Sequence, residues 1–316
     1  MRGLWSTRRR RVWVVVASLL VALAALLAAA WLTSPAGTEL PTRVQSRLRG
    51  TDGRAVPLSA VPLILREAVV ATEDERFYQH QGIDLIGAIR ALPYDLVHLS
   101  LAQGASTITE QVAKILYLQG NDRNLWRKLE DATVALKLEQ HYSKEQILAA
   151  YLNSAYFGQH AYGIWAASED YFATPPRRLN TAQATLLAGL IQAPTAYDPL
   201  VHPAAARARQ VDVLRSMVRN GFLTASEAGR VLGAPLPLRH GRPLAATTGI
   251  DLSPGPAFTW WQLGVGAFIT FCGLSALIVL RAPRFSSVHG LLAAKIVSVV
   301  LLIFGAAVVI RSFRNA

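Results

Sequence analysis

Cysteine is almost absent: the 316-residue chain has one, Cys272. A single thiol excludes an intramolecular disulfide framework and a cysteine-only zinc site. Charge is scarce as well, at 16% against the roughly 25% of an average soluble chain. With 52% hydrophobic residues, the composition excludes disorder and low complexity and departs from an ordinary soluble domain. Acidic residues are missing from both ends, since all 20 lie between Glu39 and Asp251. Outside those limits stand Arg2, Arg8, Arg9, Arg10 and Arg11 on one side and Arg281, Arg284, Lys295, Arg311 and Arg314 on the other. Between them 22 basic residues face 20 acidic ones, so the net charge of +12 belongs almost wholly to the ends. That excess flanks apolar segments, which is a membrane-topology pattern and argues against a nucleic-acid partner.

Three apolar runs are present. The first, Val12–Trp31, carries no charge over 20 residues, enough to cross the ~30 Å hydrocarbon core as a helix. It exceeds the ~7–15 residues of a signal-peptide core, so a retained anchor is expected rather than a cleaved leader. The expected plan is a cytoplasmic basic tail over 1–11, a membrane helix over 12–31 and an outer domain over 32–245. A linker over 246–256, a second span over 257–280, a cytoplasmic loop over 281–290 and a third span over 291–310 complete it. The outer domain reads as mainly helical. Ser143 with Gln146, Thr224 with Glu227 and Asn180 with Gln183 have the spacing of reciprocal helix caps before apolar-periodic stretches. A short β-like piece is expected near Thr42–Asp52, where Asp52-Gly53 marks a turn.

The chemistry concentrates in two segments. Thr72–Asp84 packs Glu73, Asp74, Glu75, Arg76, His80 and Asp84 into 13 residues. Gly104–Lys114 is a small-residue loop rich in hydroxyls that enters a helix, a place where backbone N–H groups accept an anion. Lys114, Arg123, Arg127 and Lys128 follow, then Glu130 and Asp131. One region thus offers carboxylates for proton transfer and cations for a phosphate.

Taken in order, these motifs carry a resemblance. Glu73-Asp74-x-x-Phe77-x-x-His80-x-Gly82-x-Asp84 is followed by Gly104-x-Ser106-Thr107-Ile108-Thr109-x-Gln111-x-x-Lys114 and by Arg127-Lys128. Lys144-x-x-Ile147-Leu148-x-x-Tyr151-Leu152-Asn153, Tyr156-Phe157-Gly158, Ala161-Tyr162-Gly163 and Gln192-Ala193-Pro194 come next, and Arg209 with Val213-Leu214-x-x-Met217 closes the set. The chain resembles the glycosyltransferase family 51 peptidoglycan polymerases in their monofunctional form. The absence of any Ser-x-x-Lys agrees with the lack of a penicillin-binding transpeptidase.

The resemblance implies a mainly α, lysozyme-like catalytic domain with a cleft at the membrane surface. It implies an inverting transfer that polymerises lipid II and releases polyprenyl pyrophosphate, on the outer side of the cytoplasmic membrane. Glu73 then matches the general base, and Asp131 the second catalytic carboxylate. Ser106, Thr107, Gln111, Lys114, Arg123, Arg127 and Lys128 match the substrate and pyrophosphate contacts. A divalent cation, magnesium or manganese, with Asp131 as its candidate ligand, is implied, and no organic cofactor. Lipid II, the polyprenyl-linked glycan, the membrane and other cell-wall synthesis proteins are the implied partners. The apolar stretch Leu85–Leu101 corresponds to a cleft lip dipping into the headgroups, with an ordinary core helix as the alternative.

Four positions depart from the pattern. Asp131 stands where the family has glutamate, Ile115 where asparagine is usual, Glu110 where glutamine is usual, and Ala149 where an acid is common. Glu110 is expected to place a negative charge beside an anionic substrate, whereas Glu139 and Glu145 read as exposed helix-face charges. Two rival functions remain at this point: a lysozyme-like enzyme that cleaves glycan, and a catalytically weakened membrane scaffold of the same fold.

Overall fold

The computed structural model describes residues 2–87, 106–118, 124–241 and 243–252. Arg123, most of the Leu85–Leu101 stretch, and the two expected C-terminal spans with their connecting loop lie outside the described residues. Among those described the architecture is helical, with isolated β-bridges and no named strand. Helix α1 covers Arg2–Thr33, α2 Leu40–Leu48, α3 Leu63–Glu73, α4 Ile108–Leu116 and α5 Leu125–His141. Then come α6 Lys144–Ser154, α7 Gly163–Phe172, α8 Thr181–Leu190, α9 Pro203–Arg219 and α10 Ala225–Leu232.

Within α1, Trp13–Thr33 is long and apolar enough to cross a membrane by length and composition. Its 21 residues rise about 32 Å at ~1.5 Å per residue. Most of this stretch is exposed; Ala30 and Ser34, where the helix ends against the domain, are buried.

The three helix starts expected from sequence are present as full capping boxes at Ser143, Asn180 and Thr224. The expected β-like piece is instead helical over Leu40–Leu48. Pro41 sits in its first turn, and Leu40, Val44 and Leu48 recur every four residues to bury one face.

Two packing groups meet in one core. Helix α3 lies against α8 and α9, and α4 lies against α5 and α6. Leu65, Phe77, Ile108, Val134, Leu138, Ile147, Tyr151 and Leu152 belong to the shared apolar cluster. Gly82 lets the turn after α3 press onto α5: it has φ +80°, and a Cβ there would lie 2.9 Å from the backbone of Ala135. The expected linker packs onto the domain at least as far as Leu252, which is buried against α9 and α10. Arg207 fastens its start by donating to the carbonyl of Ala245.

Candidate active site

The site is assembled where α3 ends and α4 begins. Glu73 is the last residue of α3, and Asp74 ends the helix with φ −162° and ψ 78°. The Asp74 carboxylate accepts from the backbone N–H of Ile108 at 3.0 Å, tying the end of α3 to the start of α4. His80 Nε2 donates to both Asp74 oxygens at 3.0 Å, with its Nδ1 buried and unpartnered. His80 is thus a structural neighbour of the site.

Glu73 faces the other way. Gln111 Nε2 donates to Glu73 Oε2 at 2.8 Å, and Tyr151 Oη fixes Gln111 by donating to its Oε1 at 2.7 Å. Arg209 Nη2 lies 3.8 Å from Glu73 Oε1. The Glu73 side chain is only 10% exposed. Burial raises its pKa, the Gln111 hydrogen bond and the Arg209 charge oppose that, and Asp74 adds to it. A carboxylate held ready but reluctant to ionise suits proton abstraction.

The cationic side lies across the N-terminus of α4. Thr107 caps this helix, and Glu110 Oε2 reciprocally accepts from the Thr107 N–H at 2.8 Å. The other Glu110 oxygen lies 3.1 Å from Lys128 Nζ, which also donates to Ser106 Oγ at 2.8 Å. The negative charge expected at Glu110 is present but paired: the residue is 4% exposed and spends both oxygens on the fold and on Lys128. Thr107 is buried too, its hydroxyl donating to the Gly82 carbonyl at 2.6 Å, so it frames the loop from within. Gln111 is likewise committed to Glu73 and Tyr151. Ser106, Lys114 and Lys128 remain open to solvent to differing degrees.

Arg127 turns inward, donating to the Leu118 carbonyl, with its Nε 3.4 Å from Asp131 Oδ1. Burial raises the Asp131 pKa and Glu110 adds to that, while Arg127, Lys128 and Lys114 pull it down. Glu130 bonds instead to the indole N–H of Trp126, one turn earlier on an exposed face. Glu139, expected to be exposed, is half-buried, with its carboxylate turned inward to accept from Thr109 and Lys144, each at 2.6 Å. Leu85 and Ile86, the described start of the expected lip, are exposed.

This donor set does not suit a protein-held divalent cation. Asp131 is a single carboxylate among Arg127, Lys128 and Lys114, and its near neighbour Glu110 is already used. No group of three or more His, Cys, Asp or Glu converges among the described residues. Among the described residues, positive charge in this part of the site is carried by Arg127, Lys128 and Lys114.

A family model described as Transglycosylase matches residues 41–218, from α2 to the end of α9. The chain belongs to the transglycosylase family. The expected enzyme class, a peptidoglycan glycosyltransferase, agrees with that membership. Penicillin-binding protein 1A of Neisseria lactamica is 44% identical over 175 residues, which is 55% of this chain and 22% of that protein. The transglycosylase thus spans about a fifth of that relative's length. A Cupriavidus necator protein provisionally named a transglycosylase is 40% identical over 243 residues, covering 76% of this chain and all of the other. The solved structure of penicillin-binding protein 1A from Haemophilus influenzae aligns at TM-score 0.37 and 21% identity over 60% of this chain and 18% of its own.

Sequence reasoning did not find the Gln111–Tyr151 support of Glu73 or the Glu110–Lys128 pair. The second had a signal: Thr107-x-x-Glu110 is the same reciprocal cap recognised at three other helices.

Proposed function

We propose that this chain is a peptidoglycan glycosyltransferase that polymerises lipid II on a lysozyme-like fold, with inversion at the donor C1. The supporting observation is the pairing of a buried carboxylate of raised pKa with a cationic cluster across one helix terminus. Glu73 takes the proton from the acceptor's GlcNAc 4-hydroxyl as that oxygen attacks C1 of the polyprenyl-linked glycan. An alcohol is a poor nucleophile at neutral pH and needs such a base. The bond from C1 to the pyrophosphate oxygen breaks, and negative charge gathers on the leaving group. Lys128, Lys114 and Ser106 are the groups placed to receive it, with Arg127 and Asp131 behind them. Arg8–Arg11 keep the N-terminus cytoplasmic, which puts the domain on the outer face.

A glycan-cleaving enzyme of the same shape would expel a neutral sugar oxygen and would gain little from such cations. The scaffold reading loses one of its supports, because Glu110 serves the cap of α4 and Lys128. The deciding experiment incubates the purified full chain with labelled lipid II. Polymer is the expected product. Shortening of a preformed glycan, or no change at all, would overturn the proposal in favour of one rival or the other.

A further inference from the structure

The membrane helix does not lead into the domain through a loose tether. Lys137, in the C-terminal half of α5, is 7% exposed, and its ammonium is turned onto the end of α1. Nζ lies 2.6 Å from the carbonyl oxygen of Trp31, 2.9 Å from that of Ser34, 3.3 Å from that of Pro35 and 3.0 Å from Ser34 Oγ, so its three N–H groups are shared among four oxygens. It also lies 5.1 Å from the centre of the Trp31 ring. The last carbonyls of a helix have no partner within it and carry the negative end of its dipole. Here a buried cation from the catalytic domain serves them. Burial lowers the pKa of that lysine, the cost of holding an ammonium in such a place.

The next residues are fastened as firmly. Gly37, at φ +77°, lies so close to α5 that a Cβ would sit 3.0 Å from the Cβ of Lys137 and 3.1 Å from the backbone nitrogen of Leu138. Tyr117 Oη donates to the Thr38 carbonyl at 2.6 Å. The Leu40 N–H donates to Tyr142 Oη at 3.0 Å, and Arg43 Nη1 donates to the Leu116 carbonyl at 3.0 Å. From Trp31 to Arg43 the chain is held to α4 and α5 throughout.

Helix α5 is also the element that carries Arg127, Lys128 and Asp131. Asp131 and Lys137 are six residues apart on it, about 9 Å along the axis at ~1.5 Å per residue. We propose that Lys137 is a positioning residue, which locks the exit of the membrane helix to α5 so that the leaving-group cations stand at a fixed height above the bilayer. The proposal rests on the reading of the site given above, in which the leaving group is a pyrophosphate carried by a membrane lipid. Its reactive carbon can rise no further from the headgroups than its own linkage permits. A cradle that floated by an ångström or more would lose productive encounters, since ~1 Å of misplacement costs on the order of 10²-fold in rate.

The test compares the full chain with Lys137→Met, which keeps the apolar stem over Trp31 and removes the ammonium. Height is read by energy transfer from a dye on an introduced cysteine at Ser226, an exposed residue of α10, to labelled lipid in phosphatidylglycerol–phosphatidylethanolamine vesicles, with Cys272→Ser in the background. The expected result is a narrow distribution for the parent and a broadened one for Lys137→Met. Polymerisation of lipid II is then measured twice. In detergent micelles, where there is no flat surface to stand above, the variant should match the parent within about twofold. In the vesicles it should fall tenfold or more, in line with the ~10²-fold cost of misplacement. If thermal unfolding shows that Lys137→Met does not fold, a Gly-Ser-Gly-Ser insertion between Pro35 and Ala36 replaces it, with the same expectations. An unchanged height distribution, an equal loss in micelles and vesicles, or no loss in either overturns the positioning role. A parent chain that makes no polymer in either medium overturns the reading of the site instead, while the height measurement still decides whether Lys137 is the lock.

Discussion

Gln111→Leu isolates the support of the base from the base itself. The substitution keeps roughly the same volume and removes the donor 2.8 Å from Glu73 Oε2. A hydrogen bond to a charged group contributes about 1.5–3 kcal/mol. Glu73 already has a raised pKa, and Gln111 is the largest of the effects that restrain it. Its loss should therefore raise the pKa further. A base works only when deprotonated, so the acid limb of kcat/KM against pH should move to higher pH. The plateau reached at high pH should be largely retained. The same change leaves the buried Tyr151 hydroxyl without its acceptor, which should cost about 1–3 kcal/mol of stability in a denaturant titration. Tyr151→Phe provides the internal control: it frees Gln111 Oε1 but leaves Nε2 able to donate, so the limb should move less. A folded Gln111→Leu enzyme whose acid limb stays in place would refute the role given to this contact, and with it the reason for placing the base at Glu73.

Glu73→Gln should lower polymerisation by at least ~10²-fold, the usual scale of lost general-base catalysis, yet should melt no earlier than the parent because a reluctantly ionised buried group has been removed. The sign follows from its raised pKa: the stability Glu73 contributes is fully present below its unfolded pKa and disappears as pH rises through the folded one. Asp131→Asn should abolish most activity in the lipid II assay while Glu130→Gln is tolerated, since Asp131 faces Arg127 and Glu130 only its exposed neighbour Trp126; the opposite ranking would give the third-motif role to Glu130. Gly82→Ala should destabilise the domain by about 1–3 kcal/mol through its left-handed backbone alone, and by more through contact with Ala135; an unchanged melting temperature would show that the turn can lift off α5.

What was legible in the sequence was local. Caps at Ser143, Asn180 and Thr224 depend on residues three apart, and each was readable as a short pattern. Helix α2 was misread because a nearby Asp-Gly turn outweighed the four-residue spacing of Leu40, Val44 and Leu48. The pairing of Glu110 and the shielding of Glu139 were not legible, since their partners Lys128, Thr109 and Lys144 meet them only once α4, α5 and α6 are packed. Lys137 gave no sign at all. Its partners lie more than a hundred residues earlier, at the end of the apolar stretch Val12–Trp31, which carries no charge to suggest a counterpart.

The surroundings of Glu73 have a consequence for timing. Its partners arrive in chain order: Asp74 beside it, then Gln111, then Tyr151, and last Arg209 on α9. Synthesis from the N-terminus delivers these residues one after another, and domains generally fold as units once enough of them has emerged. The Glu73 carboxylate acquires its full setting only when α9 has been made and has packed on α3. Until then a half-made chain holds Glu73 without its arginine.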